Sequence, residues 1–199
     1  MLQEMKVGET INLSDNTFIA RIDQGWANEK GVLVVRADGA MAPTIEKELF
    51  APEIHRQIVE FIKSEAFLVD DDPESGYQRS GARNIPFFSY IHQQLTGVAS
   101  EIFGEKVKPS YIFTSFYGDA GVCPFHTDRP QCKYTIDYCI DQDEAWDIWV
   151  DDKPYTLQPN DALCYSGTDS PHFREKIKGK YCHLAFFHFV PVDFVGKLD

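Results

Sequence analysis

Between Tyr111 and Val190 the chain repeats one pattern, a short apolar or alternating run closed by Gly, Pro, Asp or Asn. The runs are roughly Tyr111–Tyr117, Pro124–His126, Lys133–Ile140, Trp146–Val150, Tyr155–Leu157, Ala162–Tyr165, His172–Arg174 and Tyr181–Val190. Most are too short for an ordinary helix, and the residues between them reverse the chain. Strands at this spacing predict a β-sandwich or jelly roll. Aromatic residues make up 14% of the chain and concentrate after Phe87, where flat rings suit a β core.

The upstream half reads differently. Thr17–Ile22 and Gly31–Arg36 are β-branched and apolar and predict strands. Pro43 to about Ala66 reads as helical, interrupted near Pro52, with Ile54, Ile58, Phe61 and Ile62 at helical spacing. Asp70–Gly76 is a polar turn or mobile loop. Gln78–Asn84, holding Arg79 and Arg83, reads as a Gly-containing loop before a helix from Pro86 to about Phe103. That helix shows a stripe of Phe88, Ile91, Leu95, Val98 and Ile102. The predicted class is mainly β (α+β), one domain over 1–199. Residues 1–108 would supply strands and two supporting helices over one face of the major sheet, and 109–192 the jelly-roll core.

A net charge of −12 repels phosphate backbones and anionic lipid, so neither nucleic acid nor membrane is expected as a partner. No apolar run is long enough to span a bilayer, and Met1–Thr10 lacks the apolar region of a signal peptide. The five cysteines are odd in number and form no CxxC pair, which argues against a disulfide framework and a zinc ribbon. A cytoplasmic location is the expectation.

Chemistry concentrates at His126-Thr127-Asp128 and at His172. In a strand, residues two apart share a face, so His126 and Asp128 can reach one ion. His172 opens a later run, after enough chain for strands to return beside the first pair. Two imidazoles and a carboxylate leave three positions open, a set suited to non-haem Fe(II) and oxygen chemistry.

The stretch Ser115-Phe-Tyr-Gly-Asp-Ala-Gly-Val-Cys-Pro-Phe-His-Thr-Asp128 resembles the signature of Fe(II)/2-oxoglutarate oxygenases of the prolyl-hydroxylase-like and alkylated-base-demethylase-like branches. Tyr117 stands where those branches keep a Tyr ahead of the HxD. Pro159-Asn-Asp-Ala-Leu-Cys-Tyr-Ser-Gly167, then Pro171-His172, resembles the family's downstream segment, with Asn160 for the usual Gly, a residue that also tolerates left-handed turns. The resemblance covers roughly 110–190. It implies a double-stranded β-helix, Fe(II), 2-oxoglutarate as co-substrate and O2. It also implies oxidation of a substrate C–H bond coupled to decarboxylation. Asp128 is the carboxylate that the family's halogenases usually lack, which favours hydroxylation.

Family members hold the far carboxylate of 2-oxoglutarate with a basic residue on the last strand, where this chain has Tyr181, Cys182 and His183. A buried carboxylate still needs a cation. Arg174, two residues after His172 and so on its face, is the first candidate; a surface ion pair with Glu175 or another acid is its ordinary alternative. Lys180 is second and Lys133 a distant third, and Tyr117 could donate its hydroxyl. Arg129 and Arg83 are candidate substrate contacts, with Arg79 beside Arg83. His183 and His188 are an odd number of residues apart on one strand, so at most one faces the pocket.

The expected substrate is a small molecule, an amino acid or a peptide. Two other readings stay open: an inactive jelly-roll binding module, and a cupin-type metal enzyme independent of 2-oxoglutarate. Retention of all three ligands weighs against the former, and the absence of an HxE spacing at His126 against the latter.

Overall fold

The computed structural model describes residues 3–4, 32–33, 41–64, 70–71 and 77–198. In chain order these form β1 (Gln3–Glu4), β2 (Val32–Leu33), β3 (Thr44–Glu46), α1 (Pro52–Lys63), β4 (Asp70–Asp71), β5 (Arg79–Arg83), α2 (Pro86–Gln94) and α3 (Thr96–Phe103). There follow β6 (Val107–Gly118), β7 (Cys123–His126), β8 (Tyr134–Gln142), β9 (Ile148–Val150), β10 (Lys153–Tyr155), β11 (Ala162–Ser166), β12 (His172–Arg174) and β13 (Tyr181–Pro191).

A seven-stranded sheet runs β3-β11-β8-β13-β6-β5-β4, and a four-stranded sheet runs β10-β9-β12-β7. Every pairing in both is antiparallel. This is the mainly β jelly roll that the spacing of the runs predicts.

Alternation along the strands of the larger sheet builds two cores. On β8, Ile136, Tyr138 and Ile140 face one way; on β13, Ala185, Phe187 and Phe189 do the same. They meet Ile58, Ile62, Phe88, Ile91, Ala99 and Phe103 from the helices. The opposite face sends Cys139, Cys182 and Leu184 between the sheets, against Trp146, Ile148, Val150 and Tyr165. Each large apolar side chain buried here contributes about 1.5–3 kcal/mol. The helices thus brace the outer face of the larger sheet and leave its inner face for the site.

The helices differ from expectation in two ways. The segment from Pro43 does not begin a helix. Thr44–Glu46 instead lies beside β11, with Ile45 opposite Leu163, and the helix starts at Pro52. Proline lacks the N–H that a helix interior needs but fits its first turn. Ile54 is exposed while Ile58 and Ile62 are buried. The segment 86–103 is two helices, so among the described residues three helices flank the sheet where two were expected. The break falls at Thr96-Gly97, both weak helix formers, and the Thr96 hydroxyl donates to the Gln93 carbonyl.

Arg79–Arg83 is a strand, not a loop. It pairs with β6 in the register Arg79↔Tyr117, Gly81↔Ser115 and Arg83↔Phe113. A side chain at Gly81 would collide with the Phe113 ring and the Thr114 carbonyl, so only glycine fits this approach. Asp70–Asp71, expected within a turn, forms β4 against β5. The predicted strand Thr17–Ile22 and the rest of the 70–76 turn lie outside the described residues, and of Gly31–Arg36 only Val32–Leu33 is described.

Asn160 has φ 76° and fills the left-handed turn that its glycine-like place requires. Its side chain also accepts from the Phe50 N–H at 3.2 Å and donates to the Phe50 carbonyl at 2.8 Å. No helix among the described residues is long and apolar enough to cross a membrane.

Candidate metal centre

The smaller sheet brings the two histidines together. His126 ends β7, His172 begins β12, and the pairing sets them directly opposite one another. Their rings stand 4.3 Å apart between centres. Asp128 follows two residues after His126, its backbone N–H bonded to the Gly167 carbonyl at 2.8 Å.

The hydrogen bonds fix which ring nitrogen is available. His126 Nδ1 meets the Pro124 carbonyl at 2.7 Å, and His172 Nδ1 meets the Ser170 carbonyl at 2.9 Å. A carbonyl only accepts, so each Nδ1 carries the hydrogen. Both Nε2 atoms therefore turn toward Asp128 Oδ1, at 3.6 Å and 3.8 Å. These separations are too long for hydrogen bonds and suit three ligands around one ion. One donor atom from each residue lies within 4.8 Å of the others. A ligating imidazole whose other nitrogen donates to a carbonyl is the arrangement that metal sites use to hold tautomer and angle. On this geometry the three residues fit a metal ion.

Electrostatics agree. Burial opposes ionisation of Asp128, but His172 and His126 outweigh it and hold the carboxyl well below the usual range. Burial lowers His172 to about 4, helped by the charge on His126. Burial also opposes protonation of His126, yet Cys123 and Asp128 raise it well above its ordinary value. The trio thus favours positive charge beside Asp128.

Gly167 makes room for this arrangement. A Cβ there would overlap Asp128 Oδ2 and the Cys132 carbonyl and stand 3.0 Å from Thr135 Oγ1. Thr135 in turn meets Asp128 Oδ2 at 3.4 Å and His188 Nδ1 at 3.0 Å. Asp128, Cys132 and His188 form a second close group. There burial pushes the Cys132 thiol up to about 12, so it stays protonated and is a poor ligand.

A cavity of about 680 Å³ opens beside the triad. Tyr117, buried at its wall, accepts a hydrogen bond from Arg79 Nη1 at 3.0 Å and meets Trp146 edge to face. Arg174 also lines the cavity, but it is 3% exposed and already engaged. Its Nη2 donates to Asp137 Oδ2 at 2.7 Å and its Nη1 to the Trp146 carbonyl at 2.6 Å. Its partner is Asp137, so the ordinary alternative of an ion pair with an acid holds, but the pair is buried and the acid is not Glu175. Arg83 and Arg129 line the cavity near Tyr111, and Arg129 Nη2 donates to the Tyr111 hydroxyl at 3.0 Å.

Lys180 and Lys133 do not line this cavity; Lys180 is exposed before β13, and Lys133 pairs with Asp169. Of the two late histidines, His188 faces the cavity and His183 packs on Phe116. Arg79 is the pocket residue that sequence reasoning placed too lightly. Its signal was the alternation Arg79-x-Gly81-x-Arg83, which puts both guanidinium groups on one strand face.

Comparison of the sequence with protein-family models and with curated proteins gives no match. Solved structures do match. HygX from Streptomyces hygroscopicus, with nickel and 2-oxoglutarate bound, superposes with a TM-score of 0.60 at 10% identity, over 77% of this chain and 84% of that one. A viral collagen prolyl hydroxylase from Paramecium Bursaria Chlorella virus-1, in complex with 2-oxoglutarate, gives 0.60 at 9% identity, over 78% and 98%. A Pseudomonas putida prolyl-4-hydroxylase gives 0.55 at 10% identity, over 73% and 91%. With its two antiparallel sheets and a candidate His-Asp-His group between them, the chain has the double-stranded β-helix fold of the Fe(II)/2-oxoglutarate oxygenases.

Proposed function

We propose that the chain is an Fe(II)- and 2-oxoglutarate-dependent oxygenase that hydroxylates a small molecule, an amino acid or a peptide. The observation that carries this reading is the pair of imidazoles, each fixed by a backbone carbonyl so that Nε2 faces Asp128. His126, Asp128 and His172 would hold the ion. The iron, when bound, supplies O2 activation and C–H oxidation coupled to decarboxylation of 2-oxoglutarate. The nickel and 2-oxoglutarate held by HygX support the pairing of metal and co-substrate on this fold.

The chain's own residues supply position and charge. Thr135 and the Gly167 carbonyl orient Asp128. Tyr117, Arg79 and Arg174 form the wall suited to the far carboxylate of 2-oxoglutarate, with Asp137 and the Trp146 carbonyl fixing the plane of Arg174. Lys180, outside the cavity, has no place in this scheme. Ile148 and Tyr165, both buried, line the cavity and exclude water from the reacting end.

The test is succinate release from 2-oxoglutarate by Fe(II)-loaded protein on addition of O2. Wild type should release succinate, and a His172→Ala variant should not. Release at the same rate from both, or none from iron-loaded wild type, defeats the reading.

A further inference from the structure

Among the described residues, more arginines line the cavity than its proposed co-substrate needs. Arg79, Arg83, Arg129 and Arg174 belong to that described lining, whose one carboxylate is Asp128, although the chain as a whole has a net charge of −12. The arginines fall into two groups. Arg79 and Arg174 stand at the Tyr117 end: Arg79 bonds the Tyr117 hydroxyl, and Arg174 lies over the Trp146 ring at 5.0 Å. Arg83 and Arg129 converge on a different ring, that of Tyr111, with guanidinium carbons 5.3 and 5.2 Å from its centre.

The second group is not neutralised by the fold. Arg174 has Asp137, but among the described residues neither Arg83 nor Arg129 forms an ion pair. Two guanidinium groups, at 5.3 and 5.2 Å from one ring centre and neither ion-paired among the described residues, present several N–H donors to an anion near that ring. The co-substrate has one carboxylate beyond those that approach the metal, and the Tyr117 group suits it. Resting on the oxygenase reading above, we infer that Arg83 and Arg129 bind an oxyanion group, carboxylate or phosphate, on the substrate that is oxidised.

The surroundings fill in the class. Arg129 directly follows Asp128, and both line the cavity. Arg83 reaches it from β5, beyond Gly81, whose missing side chain leaves its place to the Phe113 ring. Phe113 and Phe186 stack with centres 6.5 Å apart and line the same space. Apolar rings beside two guanidinium forks that have no ion pair among the described residues fit a small molecule with an apolar body and one anionic end. Arg83 and Arg129 are both exposed, so the anionic end lies within reach of solvent.

The test titrates benzoate, phenyl phosphate and uncharged benzamide into protein loaded with Ni(II) and 2-oxoglutarate. Loading is measured first, so failure of the oxygenase reading appears before any probe is added. The same titrations on metal-free protein then still test the arginine pair. Benzoate or phenyl phosphate should bind about tenfold or more tightly than benzamide, from ionic hydrogen bonds to the forks. An Arg83→Gln/Arg129→Gln variant should lose that preference while still loading Ni(II) and 2-oxoglutarate. The two probes separate a carboxylate from a phosphate site. Equal binding of benzamide, no saturable anion binding, or a preference that survives the double substitution overturns the inference. Loss of 2-oxoglutarate binding in the double variant also overturns it, and moves the co-substrate's carboxylate to Tyr111.

Discussion

Replacing Gly167 with alanine adds one methyl group where Asp128 Oδ2 and the Cys132 carbonyl already stand. The φ of Gly167 is not in the left-handed region, so the backbone permits alanine and only space forbids it. The backbone has little freedom to retreat: the Gly167 carbonyl accepts from the Asp128 N–H at 2.8 Å, and the Gly167 N–H donates to the Lys133 carbonyl at 3.0 Å. The carboxylate is the softer partner and should turn away. Overpacking of this kind costs about 1–3 kcal/mol. Taken up by the carboxylate, that is about 10- to 100-fold in metal affinity, at about 1.4 kcal/mol per factor of ten. Anaerobic Fe(II) titration of wild type and Gly167→Ala, with urea denaturation of both alongside, measures the two quantities separately. The expected result is weaker iron binding with a stability loss of no more than about 3 kcal/mol. Iron affinity equal to wild type would refute the account of how Asp128 is positioned.

Three further outcomes follow from named contacts. Arg174→Ala leaves Asp137 buried without its cation and should destabilise the fold by about 3–5 kcal/mol in denaturant, as well as weaken 2-oxoglutarate binding; Lys180→Ala should do neither. Burial holds His92 near a pKa of about 4, helped by His188, so the unfolded chain takes up a proton first as the pH falls. Stability from this group is full above about pH 6.5 and declines toward pH 4, by about 3 kcal/mol at most, and His92→Leu should flatten that part of an acid-denaturation curve. Asn160→Gly keeps the left-handed turn but loses two bonds to Phe50, costing about 1–2 kcal/mol, and Asn160→Ala should cost more because it also strains φ.

The parts of this molecule visible in its sequence are those governed by local period. The parity of His126 and Asp128 on one face, the alternation of Phe187 and Phe189 against Phe186 and His188, and the turn residue at Asn160 are all set by near neighbours. What escaped depends on distant chain. Arg79–Arg83 contains no β-branched residue, and it is a strand because β6 offers an edge and Gly81 leaves space for Phe113. Thr44–Glu46 looks helical beside the stripe of α1 and is a strand because β11 would otherwise be an open edge. The side-chain direction of Arg174 was readable from its distance to His172, but its partner Asp137 lies on another sheet and left no local mark. Gly167 is part of the segment that carries the family resemblance, but its closeness to Asp128 depends on the chain between β11 and β12 coming back to the end of β7.

The central claim is that His126, Asp128 and His172 hold one metal ion. Anaerobic equilibrium titration with Fe(II), read as iron bound per chain, tests it without dependence on any substrate. The account predicts one ion per chain for wild type and none retained by a folded His126→Ala/His172→Ala variant. Binding by that double variant equal to wild type, or wild type that takes up no iron, would contradict it.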